Sequence, residues 1–245
     1  RTTHQDEEEV VALNNPAMLL RSTCSNCNLR ESCLPTGLTL KEIERLEELV
    51  TGNRRRIKRG ESLFRAGDRF DTLYAVRLGF LKSTVMSSDG REQVTNFFMA
   101  VHSCDVTALE DTEVCVINYD KFEEAATSMR SMGAHVLKML SREIVRQHGV
   151  MLLLGSMHAE ERLAAFLLSL SQRFEQRGYS RSEFVLRMTR AEIGSYLGLK
   201  LETVSRVLSR FSHDGLIEVN QKHVRIFDAE GLRAIVSGVP LSEQR

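Results

Sequence analysis

The sequence predicts an α+β protein in three parts: an N-terminal β-roll sensor domain, a long dimerisation helix and a C-terminal winged helix-turn-helix. Three observations carry this. Short apolar runs punctuated by glycine fill residues 55–118. Helical periodicity returns over 120–156. Residues 189–211 then read as two helices about a glycine turn. The expected boundaries are a loose tail (1–20), a cysteine loop with the roll (21–120), the dimerisation helix (121–156) and the winged reader (157–245).

Composition permits this. The chain has 245 residues, 42% of them apolar, enough for a sizeable core. No apolar run, Val150 to Leu154 included, approaches the length of a membrane span. The start carries Asp6, Glu7, Glu8 and Glu9 instead of a basic region and an apolar core. The expectation is therefore a cytoplasmic protein with no membrane partner. Formal net charge is zero, so bulk charge gives no argument for nucleic acid.

After the cysteine loop, Thr39 and Glu42 form a capping box opening a helix at about 40–50. Leu40, Ile43, Leu46 and Leu49 mark its apolar face. Leu63-Phe64, Leu73 to Val76, Phe80-Leu81, Val94 to Met99 and Val114 to Ile117 read as strands. Asp89-Gly90 is a hairpin signal, in an exposed loop Ser87 to Arg91.

Leu137, Leu140, Ile144, Gln147, Met151 and Leu154 alternate at spacings of three and four, which is a heptad seam. Val136, Met139, Val145, Val150, Leu152 and Leu153 lie off that seam. The helix is therefore expected to bury two faces, one in its own domain and one on a partner subunit. Leu163, Phe166, Leu167 and Leu170 define the buried side of a helix over 159–176, ended by Gly178.

In the reader, Thr189 and Glu192 form a second capping box. Ile193 and Leu197 point inward, Gly198 makes the turn, and Leu199 fills the elbow. A second helix over Leu201–Ser212 is anchored by Val204, Val207, Leu208 and Phe211. Its outward residues are Glu202, Thr203, Ser205 and Arg206. The start of such a helix enters the major groove of double-stranded DNA. Arg can donate twice to guanine and Glu can accept from cytosine. Glu202 and Arg206, at i and i+4, could equally form a surface salt bridge. Strands around Asn220-Gln221-Lys222 complete a wing.

Cys24, Cys27 and Cys33 read C-x2-C-x5-C, with Cys104 and Cys115 downstream. Such crowding in a chain expected to be cytoplasmic argues for metal or redox chemistry over disulfides. Four thiolates can hold zinc or an iron–sulfur cluster. The pattern leaves both open, as it leaves open whether Cys104 or Cys115 is the fourth ligand. No nucleophile–base motif, phosphate cradle or cofactor fingerprint points to an enzyme.

Several segments together resemble the FNR branch of the CRP/FNR superfamily, oxygen-responsive bacterial transcription regulators of anaerobic metabolism. They are C-S-N-C-N-L-R-E-S-C-L-P at 24–35, G-E-S-L-F-R-A-G-D at 60–68, L-Y-A-V-R at 73–77, A-E-E-R-L-A-A-F-L at 159–167 and G-L-K-L-E-T-V-S-R at 198–206. The resemblance implies a cyclic-nucleotide-binding-like roll. It implies a 4Fe-4S cluster on Cys24, Cys27, Cys33 and Cys115, because Leu109 to Cys115 matches the family's L-E-x-x-x-V-C segment. It implies a homodimer paired along the seam, and Glu202, Ser205 and Arg206 as readers of a TTGAT half-site. RNA polymerase would be a partner, met through the Ser87–Arg91 loop. No phosphate-holding Gly-Glu and Arg-Ser cassette is visible, so no cyclic nucleotide is expected. The chain departs from the family where Val101-His102-Ser103 follows Ala100 directly instead of a glycine-rich stretch.

Overall fold

A computed structural model describes residues 24, 27, 33–34, 38–50, 54–86, 92–96 and 104–237. The Ser87–Arg91 loop, the junction at Ala100–Val101 and the acidic tail lie outside the described residues.

Helix α1 (Leu40–Val50) opens as its capping box requires: Glu42 accepts from the Thr39 N–H at 2.8 Å. Ile43 and Leu46 are buried, but Leu40 is 80% exposed. Leu40 is the first residue of the helix and projects beyond the body that covers the next two turns.

The roll is two antiparallel sheets. One has the order β1 (Arg54–Ile57), β7 (Thr112–Asn118), β3 (Thr72–Leu78). The other runs β2 (Ser62–Phe64), β6 (Asp105–Ala108), β4 (Leu81–Met86), β5 (Glu92–Asn96). Ile57, Leu63, Phe64, Val76, Leu81, Val106 and Val114 fill the space between. The Met86↔Glu92 register joins β4 and β5 as a hairpin. Strands β1 and β6 were not foreseen. In β1 three consecutive arginines on an edge strand erase the apolar alternation that marks a strand. A buried ion pair, Arg77 Nη1 to Glu113 Oε1 at 2.5 Å, ties β3 to β7.

The stretch 121–156, expected as one helix, is two. Helix α2 (Tyr119–Ser128) starts at Asn118, whose side chain caps it, and ends at Met129, where the backbone is extended. Helix α3 (Arg130–Ser156) then runs unbroken for 27 residues. Met132 is buried and Val136, Val150 and Leu153 are half-buried on its inner face. Val145 and Leu152 are not, at 70% and 65% exposed. The helix buries one side in its own chain and leaves the other, expected on a partner subunit, open.

The C-terminal part consists of α4 (Ala159–Glu175), β8 (Glu183–Val185), α5 (Arg190–Leu197), α6 (Leu201–His213), β9 (Ile217–Asn220), β10 (His223–Ile226) and α7 (Ala229–Val236). Strands pair in the order β8-β10-β9, so the wing carries a third strand. Helix α7 was also unforeseen. Asp228 caps it by accepting from the Gly231 N–H at 2.8 Å, and its Leu232 is wholly buried.

The roll touches the reader through β4 and β5. Val94 of β5 is buried in the reader's core with Leu163, Ile193 and Leu197. Its N–H donates to Ser195 Oγ at 2.9 Å. Lys82 Nζ donates to Glu192 Oε1 at 2.9 Å, and Arg187 Nε pairs with Glu110 at 3.1 Å. Burial opposes the charge on Glu192, but the Thr189 N–H and the Lys82 ammonium outweigh it and hold the carboxyl below the usual range. A lowered folded pKa contributes stability above the ordinary carboxylate value, and that stability is lost as pH falls through the lowered one. Glu192→Gln should therefore cost about 1 kcal/mol at neutral pH through the weakened cap and the lost ion pair. Thermal melts should show the gap to wild type closing in acid. An equal gap at both pH values would contradict this.

Candidate functional site

Strand period decides which face each β7 residue takes. Val114 is fully buried in the roll core and Val116 packs against that core. Cys115 between them therefore faces the other way, half-buried, on the outer side of the sheet. Arg54 and Ala75 are its register partners on β1 and β3, and α1 packs against the same strand. Cys104 is different in kind: it is 5% exposed inside the roll core, beside the Ser83 hydroxyl.

Cys24 and Cys27 form a turn, with the Cys27 N–H donating to the Cys24 carbonyl at 3.3 Å. Cys24 packs against a cluster made of Leu34, Leu46, Ala125, Met129 and Met132. That cluster joins the cysteine loop, α1, α2 and the base of α3. The four thiols share one electrostatic neighbourhood. Burial pushes the Cys24 thiol up to about 11, with Cys115, Glu47 and Cys27 adding and Arg54 opposing. Desolvation, then Cys27, Cys115 and Cys24, push Cys33 up to about 12, although much of that residue's surface is open to solvent. Burial raises Cys115 too, Arg54 opposing. Among the described residues, no three His, Cys, Asp or Glu side chains are arranged to hold a metal ion as they stand. The donor chemistry nonetheless suits one. Thiols pushed up by burial and, secondarily, by their neighbours, as Cys24, Cys33 and Cys115 are, make a set that a soft cationic centre would relieve.

The reader is built around two glycines. A Cβ on Gly194 would sit 2.5 Å from the Leu199 carbonyl oxygen, so only glycine lets α5 approach the turn this closely. Gly198 ends α5 at φ 64°, the left-handed region. Helix α6 follows. Val204, Val207, Leu208 and Phe211 are buried beneath it, while Glu202 and Arg206 are exposed and Thr203 and Ser205 are half-buried. Neither Glu202 nor Arg206 forms an ion pair among the described residues, which leaves both side chains available to bases. Ser205 Oγ accepts from Arg190 Nη1 at 3.1 Å, tying the recognition helix to the start of α5. Arg190 was not singled out from the sequence. Its signal was its place directly after the Thr189 cap.

The seam of α3 lies open. Leu137, Leu140, Ile144 and Met151 are between 56% and 69% exposed, and Leu154 is 38% exposed. Gln147, half-buried, donates from Nε2 to Glu143 at 2.7 Å. An apolar stripe this exposed on a 27-residue helix marks an interaction face.

A roll, a long helix with an open seam and a winged helix-turn-helix define a DNA-binding transcription regulator with a sensing domain. The chain matches the Crp-like helix-turn-helix domain over residues 161–235 and the cyclic nucleotide-binding domain over 54–128. It is 44% identical to the transcriptional regulatory protein btr of Bordetella pertussis, covering 87% of this chain and 93% of that protein. It is 37% identical to the fumarate and nitrate reduction regulatory protein of Salmonella typhimurium, over 86% of this chain and 89% of the relative. The structure of FixK2 from Bradyrhizobium japonicum superposes with a TM-score of 0.69 at 27% identity, covering 75% and 96% of the two chains. The chain belongs to the FNR branch of the CRP/FNR superfamily. Its relatives are transcriptional regulators, and it is not an enzyme. No helix among the described residues is long and apolar enough to cross a membrane.

Arg206→Ala should lower specific DNA affinity by about 1–3 kcal/mol with the salt dependence nearly unchanged, as for a residue that reads bases. Binding titrations across salt concentrations check this. A shallower salt slope, by about one, would mark a phosphate contact instead.

Proposed function

We propose that the protein is an oxygen-responsive regulator of anaerobic metabolism, acting in the cytoplasm as a homodimer on a palindromic TTGAT-type site. Cys24, Cys27, Cys33 and Cys115 would hold a 4Fe-4S cluster. The observation that carries this reading is the outward turn of Cys115 toward the cysteine loop, with Cys104 withdrawn into the roll core. The named relatives, regulators of fumarate and nitrate reduction among them, support the anaerobic setting.

The bound cluster would supply an oxygen-labile cross-link between thiolates. This chain's residues do the rest. The loop carries Cys24 and Leu34 onto Leu46, Met129 and Met132. Holding the loop there fixes the base of α3, where the chain breaks at Met129. A fixed α3 presents Leu137, Leu140, Ile144, Met151 and Leu154 as one straight stripe. Two such helices can pair in parallel. Pairing sets two α6 helices about 34 Å apart, one DNA turn, for two half-sites. When the loop is released, the stripe loses its alignment and the dimer weakens. Gln147 on the seam adds no charge to that pairing.

A zinc or thiol redox switch on the same scaffold is the alternative, favoured by the donor set alone. Anaerobic reconstitution with iron and sulfide separates the two. The expected result is a charge-transfer absorbance that Cys104→Ala keeps and Cys24→Ala abolishes. The reconstituted protein should sediment as a dimer, and Ile144→Glu should stay monomeric with its cluster intact. No absorbance, or one that survives Cys24→Ala, would sink the cluster reading. A dimer that survives Ile144→Glu would sink the seam.

A further inference from the structure

Arg162 holds three backbone carbonyls from three different segments. Its Nη2 donates to the Leu154 carbonyl at 2.9 Å, in the last turn of α3. Its Nε donates to the Met157 carbonyl at 2.8 Å, in the extended hinge between α3 and α4. Its Nη1 donates to the Leu197 carbonyl at 3.0 Å, on the last residue of α5. Arg162 itself lies in the first turn of α4, its N–H bonded to the His158 carbonyl.

The arrangement follows from how helices end. The last carbonyls of a helix have no partner within it, and they carry the negative end of the helix dipole. Here the C-terminal ends of α3 and α5 converge, and one guanidinium answers both. Only arginine offers a planar fork of donors able to reach several acceptors at fixed angles. The space is tight. A Cβ on Gly198 would lie 3.3 Å from Arg162 Nη1 and 3.7 Å from a Leu154 methyl. The αL cap of α5 therefore sits against both Arg162 and the end of α3.

The consequence concerns α6. It begins four residues after Leu197, so its direction follows the C-terminal end of α5. Helix α5 is also held by the roll, by Lys82 on Glu192 near its start and by the Val94 N–H on Ser195 nearer its end. Arg162 ties the turn itself to the end of α3, beside the Arg146–Tyr196 contact and the packing of Leu153 that also join α3 to the reader.

We propose that Arg162 is a positioning residue that sets the angle of the recognition helix on α3. It does so by clamping the ends of α3 and α5 and the hinge between them. In a dimer this fixes the separation of the two recognition helices, and with it the spacing of half-sites the protein accepts. That last step rests on the palindromic dimer reading above; the clamp itself does not.

The test uses full-length protein with Arg162→Lys, which keeps the charge but not the fork, and Arg162→Gln. Noncanonical spin labels at the exposed Ser141 of α3 and Ser212 of α6 report the angle by pulsed electron resonance. Labelled subunits are diluted into unlabelled ones so that only distances within one chain are read. Wild type should give one narrow distance, and both variants a broadened or shifted one. On DNA, affinity for the two-half-site palindrome should fall about tenfold, within the range of coupling between linked sites. Affinity for a single half-site should hold, and the penalty for one inserted base pair between half-sites should shrink. An unchanged distance distribution overturns the proposal. So does an equal loss on one half-site and on two, which would place the effect inside the reader. If wild type itself shows no penalty for the inserted base pair, the palindrome reading fails. The distance distribution then decides on Arg162 alone.

Discussion

The packing of Cys24 and Leu34 on Leu46, Ala125, Met129 and Met132 is the contact on which the account turns. It is small, yet it joins four segments: the cysteine loop, α1, α2 and the base of α3. Met129 and Met132 stand on either side of the point where α2 stops and α3 begins. Methionine suits such a joint, since its unbranched side chain fills gaps of changing shape. Under the proposed function, whatever holds or frees Cys24 and Leu34 would act on this cluster, and through it on the orientation of α3. The two sheets of the roll are locked by their own core and by the Arg77–Glu113 pair.

The other end of α3 reaches the reader through contacts of a different chemistry. Leu153 packs against the reader's core, and Lys82, Glu110 and Val94 join the roll to α5 and its neighbours. The reader is thus gripped by both the roll and the long helix. A change in the angle between those two would be felt at α5, whose capping box shares Glu192 with Lys82. Apolar packing alone joins α3 to the cysteine loop, whereas directed hydrogen bonds are added to packing at the reading end. Packing tolerates sliding, whereas hydrogen bonds select an angle.

Much of this was legible in the sequence because local rules governed it. The capping boxes at Thr39–Glu42 and Thr189–Glu192, the turn at Gly198 and the buried positions of α6 are set by a few neighbouring residues. The open stripe of α3 was legible for the same reason. What failed depended on neighbours far along the chain. Leu40 fits the α1 pattern but has nothing above it. Strand β1 hides behind three arginines because an edge strand on this roll can present them to solvent. The sequence also left Cys104 and Cys115 equal as pattern. Cys115 turns outward by the face it takes on β7, paired with β1 about 60 residues earlier, whereas Cys104 just precedes β6 and drops into the roll core.

The central claim is that the cysteine loop controls the base of α3 through the cluster at Met129 and Met132. Hydrogen exchange read residue by residue across 125–136 tests it most directly. The comparison is between the anaerobically reconstituted protein and the same protein after its iron is chelated. The account predicts slower exchange at these amides in the iron-loaded form, with the roll core around Val114 unchanged. Identical exchange across 125–136 in the two forms, with iron demonstrably bound in one, would contradict it.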